Sequence, residues 1–77
     1  MELIKTTHLD KDYSIESFTK IKDDISYCSI LITKLGEKDG LMCHISIDTD
    51  IVKNDENLFS DMVIRSAKRK FEHTKID

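Results

Sequence analysis

Cys28, Cys43 and His44 are the residues whose types most readily suggest chemistry, because thiolate and imidazole are the donors a zinc site draws on. In an extended strand, neighbours point to opposite faces, so Cys43 and His44 cannot both approach one ion without distortion. The set also lacks a fourth ligand, and no metal or other cofactor is expected. The cysteines form no CxxC pair, and a hairpin register that puts both on one face leaves them several residues out of step, beyond the limit of about 7 Å between Cα atoms for a disulfide. Buried, reduced thiols are the plainer reading. His8, His44 and His73 are scattered along the chain with no serine or acid pattern of the kind a nucleophile, base and orienting group would need. Gly36 and Gly40 bracket a turn and are followed by no Lys-Ser/Thr pair opening a helix, so no phosphate loop is present. No residue is assigned a catalytic role, and the protein is not expected to be an enzyme.

Composition narrows the partners. A net charge of −3 argues against affinity built on phosphate contacts, which need a basic surface or a segregated basic stripe. Lys68, Arg69 and Lys70, with Arg65 and Lys75 nearby, supply such a run, but a place toward the end of a helix already explains it through the macrodipole. No aromatic platform interleaves these cations. Asp48, Asp50, Asp55 and Glu56 form an acidic counterpart that reads as a solvated loop and cap.

The chain has 77 residues, no Pro, two Gly and 39% hydrophobic content, which describes one compact domain over residues 1–77. A domain of this size buries only about 60% of the surface its unfolded chain exposes, so a partner or self-association would support it. No apolar run approaches the roughly 20 residues that span a bilayer, and the start of the chain has no signal-peptide pattern. The expectation is a cytoplasmic protein without membrane contact.

The elements that must position these residues follow from periodicity. Residues 2–9 read as a short strand, and Asp10-Lys11-Asp12 as a polar turn. Ser14 reads as an N-cap, with Tyr13 and Phe18 forming a hydrophobic staple. A helix is then expected from Ile15, its apolar arc made by Ile15, Phe18, Ile21 and Ile25. From Tyr27 the period changes to two. The segments 27–35 and 41–49 flank the glycine-bearing turn as a β-hairpin, closed by a four-residue loop or a tight turn at Lys38-Asp39. Its register puts Cys28, Ile30 and Ile32 on one face with Cys43, Ile45 and Ile47. The opposite, mixed face carries Tyr27, Leu31, Met42 and His44. A loop at 50–54 leads to a second helix, capped by Asn54 or Asp55. Phe59, Val63, Ile64, Ala67 and Phe71 form its apolar arc, while Asp61, Arg65, Lys68 and Glu72 lie opposite. The expected fold is α+β in the order β-α-β-β-α: a small three-stranded sheet, strand order 1-3-2, with both helices on one face.

On that second helix, Phe59-Ser60-Asp61-Met62-Val63-Ile64-Arg65-Ser66 resembles Leu-Asn-Asp-Tyr-x-Leu-Arg-Glu, a pattern of the small HxsD-like proteins of His-Xaa-Ser peptide-modification loci. Asp61 and Arg65 fall on the pattern's acid and arginine. Ser60 replaces an amide, Met62 an aromatic ring and Ser66 an acid. The resemblance covers mainly residues 55–67, with looser agreement from Tyr13 through the hairpin. It implies an accessory role beside radical SAM maturases and a small precursor peptide, with the iron-sulfur chemistry belonging to those partners. Asp61 and Arg65 also form an i,i+4 pair with the acid N-terminal, which by itself supports a helix. Facing away from the core, the pair has the character of a docking surface.

The leading expectation is therefore a non-catalytic adaptor that binds a precursor peptide or a radical SAM maturase. Asp61, Arg65, Tyr27, Leu31 and Met42 are its candidate contacts, and an available sheet edge could take an added strand. A small nucleic-acid-associated regulator, using the basic end of the second helix, is the alternative. A homo-oligomer that covers its own sheet is a third reading.

Overall fold

The computed structural model describes residues 2–74. Strands β1 (Glu2–His8), β2 (Tyr13–Ile21), β3 (Ile25–Lys34) and β4 (Gly40–Asp48) are followed by helices α1 (Thr49–Asn54) and α2 (Glu56–Thr74). The strands form one antiparallel sheet in the order β1-β2-β3-β4. The fold is α+β, but it is not the expected β-α-β-β-α arrangement. There are four strands, not three, and a simple meander replaces the 1-3-2 order and its crossover.

The difference comes from residues 13–21. Ile15, Phe18 and Ile21 fit a helical arc, yet here alternate residues Tyr13, Ile15, Ser17, Thr19 and Ile21 are buried. Two of these five inward positions, Ser17 and Thr19, are small and polar, which hides the period of two. Phe18 lies on the opposite face, where the Lys5 ammonium sits 5.8 Å from its ring centroid. Ser14 caps nothing; it is an exposed strand residue opposite Thr33. The density of β-branched and aromatic side chains between Tyr13 and Ile21 is the propensity signal that favours a strand.

Other expectations fare better. Residues 2–8 are a strand, and the Asp12 amide donates to Asp10 Oδ2 at 3.0 Å, an Asx-type turn. In the β3–β4 hairpin, Cys28, Ile30 and Ile32 share the inner face with Cys43, Ile45 and Ile47, although Ile45 is only partly buried. The hairpin closes by neither expected turn. Thr33 is the last residue paired, opposite Gly40, and the bend falls at Lys34–Glu37, where the Glu37 amide donates to the Lys34 carbonyl at 2.9 Å. Gly36, with φ 89°, occupies the position of that turn that disfavours a Cβ. Gly40 is held for another reason: a Cβ there would lie 2.8 Å from Thr33 Oγ1.

The core is a single layer between the inner sheet face and α2. Ile15, Ile30, Ile32, Cys28, Cys43 and Ile47 pack against Phe59, Val63, Ala67 and Phe71, the apolar arc read from the sequence. Tyr13 and Phe71 meet edge to face, with centroids 5.2 Å apart. Helix α2 is capped by Asp55, whose carboxylate accepts from the Leu58 amide at 3.2 Å. The segment expected as a loop before it is largely α1. Thr49 at its start donates to the Lys22 carbonyl at 2.7 Å and shares a 2.8 Å hydrogen bond with Ser26, tying α1 to the β2–β3 turn.

Candidate functional site

The five candidate contacts fall in two layers. Asp61 and Arg65 lie on the exposed side of α2, their side chains joined at 2.8 Å. Tyr27, Leu31 and Met42 lie on the outer face of the sheet, which no helix covers among the described residues. Tyr27 is 52% and Met42 48% exposed. Leu31 is half-buried and directly opposite Met42. The sheet therefore separates the helix pair from the apolar trio. The two sets approach one another only at β4, whose alternating side chains border both layers.

A groove runs along that border. Cys43, His44 and Ile45 from β4 and Arg65, Ser66, Arg69, Lys70 and His73 from α2 line a space of about 520 Å³. β4 is an edge strand, so one row of its backbone amides and carbonyls has no sheet partner among the described residues. The Cys43 thiol sits 7% exposed on this groove, and burial pushes its pKa up, as it does for Cys28. Both thiols are free; Cys28 pairs with Ile45 and Cys43 with Ile30, an offset of two residues. A neutral, raised-pKa thiol is a poor nucleophile and a poor metal ligand. Among the described residues, no three His, Cys, Asp or Glu side chains converge as metal ligands would.

The cations of α2 are not equivalent. Lys68 reaches back to Asp10 Oδ1 at 3.2 Å and lies 5.6 Å from the Tyr13 ring centroid, so a contact with the β1–β2 turn, not only the macrodipole, places it. The hydrogen bond to Asp10 holds the Lys68 pKa up. The Asp12 amide and then Lys68 hold the Asp10 carboxyl below its ordinary range. Arg65 is engaged by Asp61. Arg69 and Lys70 are exposed and make no ion pair among the described residues, while Lys75 lies outside them. The basic run thus divides into a structural lysine and two available cations beside the β4 edge. Its spacing alone did not reveal that division.

The other edge of the sheet is tied down. His8, only 3% exposed at the end of β1, bonds Ser17 Oγ through Nε2 at 2.7 Å and Ser60 Oγ through Nδ1 at 2.8 Å. Its ring also meets Phe59 edge to face at 5.7 Å. Burial pushes the imidazole pKa down, favouring the neutral form, which donates through one nitrogen and accepts through the other. A serine–histidine contact beside a cleft of about 390 Å³ invites a nucleophilic reading. Here, however, the second imidazole nitrogen meets a hydroxyl in place of an orienting carboxylate. Ser60 also lies inside α2, past the amides a helix start leaves free, so its own amide is committed to the helix. The triad is a structural bridge from β1 through β2 to α2. Compared with protein-family models, with curated proteins and with solved structures, the chain matches none.

Proposed function

We propose that the protein is a non-catalytic adaptor that binds an extended peptide, with a His-Xaa-Ser-type precursor or a radical SAM maturase as its partner. The observation that carries this reading is the one-sided covering of the sheet. Both helices pack on the inner face, while Tyr27 and Met42 stand exposed on the outer face beside an open edge strand. A half-covered sheet with a free edge offers backbone hydrogen bonds and side-chain contacts together, which is how strand addition recognises peptides. The likeness of residues 59–66 to the HxsD-like pattern supplies the class of partner. The exposed Asp61–Arg65 pair supplies a contact that folding does not require.

The alternative, a small nucleic-acid regulator, draws on the cations of α2. It is the weaker reading, because Lys68 is already bonded to Asp10 and Arg65 to Asp61, which leaves a short basic stripe on an acidic protein. The test is calorimetric titration of the protein with a synthetic His-Xaa-Ser precursor peptide and with a radical SAM maturase of such a locus. Wild type should bind at least one of them. Arg65→Ala and Met42→Glu should weaken that binding without moving the melting temperature. Failure to bind either partner, or variants that lose binding only by unfolding, would remove the adaptor reading.

A further inference from the structure

We infer that β4 is the docking edge, and that its ligand is an extended segment alternating acidic and apolar residues, which adds to the sheet as a fifth strand. The inference rests on the adaptor reading and specifies its site. The sheet has two edges, and they differ in chemistry. β1 carries Lys5 in an ion pair with Glu16 at 3.3 Å, and its end is fastened to α2 by His8. Charged side chains on an edge discourage further pairing. β4 reads Gly40-Leu41-Met42-Cys43-His44-Ile45-Ser46-Ile47-Asp48, with no Lys along it and its one carboxylate, Asp48, at its end. Its backbone is the less protected of the two.

The side chains of an added strand would alternate between two environments, because successive residues in a strand point to opposite faces. Those on the helix side enter the groove lined by Arg65, Arg69, Lys70 and His73. Carboxylates suit that side, and Arg69 and Lys70 have no competing ion pair among the described residues. Those on the outer side run beside Met42, with Leu31 behind it, where an apolar residue suits, and then beside His44 and Ser46. The alternation thus distinguishes an acidic, amphipathic strand from a merely acidic tail.

The same charges argue against a second copy of this chain at β4. Two β4 edges paired about a two-fold axis normal to the sheet place both α2 helices on the same side. Arg69 and Lys70 of one copy would then confront those of the other, and like charges brought together are repulsive.

The experiment uses fluorescence anisotropy with the labelled peptide Val-Glu-Val-Glu-Val-Glu-Val. Its comparison probes are an isomer with the same composition in blocks, a version N-methylated on alternate amides, and a single-stranded oligonucleotide of similar charge. The alternating peptide should bind best. The double variant Arg69→Glu/Lys70→Glu should weaken it at least about tenfold, as loss of a central charged contact does. Both residues are exposed, so this variant should retain the wild-type melting curve. Met42→Lys, on the other face of β4, serves as a second variant and should also weaken binding. Equal binding of the block isomer or the N-methylated peptide, tighter binding of the oligonucleotide, or no effect of either variant would overturn the inference. Were a precursor or maturase to bind with full affinity to Arg69→Glu/Lys70→Glu, the adaptor reading would stand and the placement at β4 would fall.

Discussion

The two halves of the sheet are held to the helices by different forces. Beneath α2, β3 and β4 present Cys28, Ile30, Ile32, Cys43 and Ile47, and the contact is almost wholly apolar. At β1, β2 and the start of β3, where α1 begins, the buried residues include His8, Ser17, Thr19, Ser26 and Thr49, joined by specific hydrogen bonds. Among the described residues, no buried side-chain nitrogen or oxygen lacks a partner. The apolar half is held by close packing that has no preferred direction, whereas the polar half has a directional geometry with a cost for any group left unpaired. One edge is therefore stitched to the helix layer, and the other is packed against it but left open along its backbone.

Substitutions should expose that contrast. The largest effect is expected in the apolar half. Ile30 is fully buried, and Ile30→Ala should cost about 2–5 kcal/mol in denaturant titration. Ile45, only partly buried, should cost less. A loss at Ile45 as large as that at Ile30 would show that the β4 side is as closed as the centre of the sheet.

The polar half should respond to a change of chemistry at nearly constant size. His8→Phe keeps a ring beside Phe59 but removes the strong partner of Ser17 and Ser60. Ser60 can turn toward the neighbouring cleft, whereas Ser17 is fully buried and is left with the weakly bonding Cys28 thiol. A cost of about 1–3 kcal/mol is expected, from a buried group deprived of its hydrogen bond. A neutral or stabilising result would show that packing alone holds this half as well.

Acidification should act on the same residue. Burial lowers the His8 pKa in the folded state, so below the ordinary imidazole value of about 6.5 the unfolded chain binds the extra proton more readily. The stability that neutral His8 contributes is complete above that pH. It is lost as the pH falls from there through the lowered folded value. Melting temperatures from pH 7.5 to about 5 should decline more steeply for wild type than for His8→Phe. Parallel curves would place the proton uptake elsewhere.

The smallest effect on stability is expected at Arg65. Its pairing with Asp61 is exposed, and i,i+4 pairs of this kind contribute about 0.3–0.5 kcal/mol. Arg65→Ala should leave the melting curve nearly unchanged. A drop comparable to that of Ile30→Ala would make Arg65 structural and withdraw it from the site.

The same division decides what the sequence made legible. β3, β4 and α2 carry apolar residues at the spacing their geometry demands, and the inner face of the hairpin and the arc of α2 follow from that spacing alone. β2 does not. Its inward Ser17 and Thr19 are polar because they meet His8 and Cys28, partners remote enough that no local pattern records them. With those positions polar, Ile15, Phe18, Ile21 and Ile25 mimic a helical stripe. The site was legible in part. Asp61, Arg65, Tyr27 and Met42 are exposed, as a contact role requires, and the expected placement of both helices on the apolar face already put the sheet between the helix pair and the other two. The sequence could not reveal that Lys68 is spent on Asp10 while Arg69 and Lys70 border an open edge.

That open edge is the central claim, and amide-resolved NMR tests it most directly. On titration with Val-Glu-Val-Glu-Val-Glu-Val, the shifted amides should be those of β4 and of α2 between Arg65 and His73, and β4 amides that exchange freely in the unbound protein should become protected. Perturbation centred on β1 and the His8 end of the sheet, or shifts on α2 without new protection along β4, would contradict it.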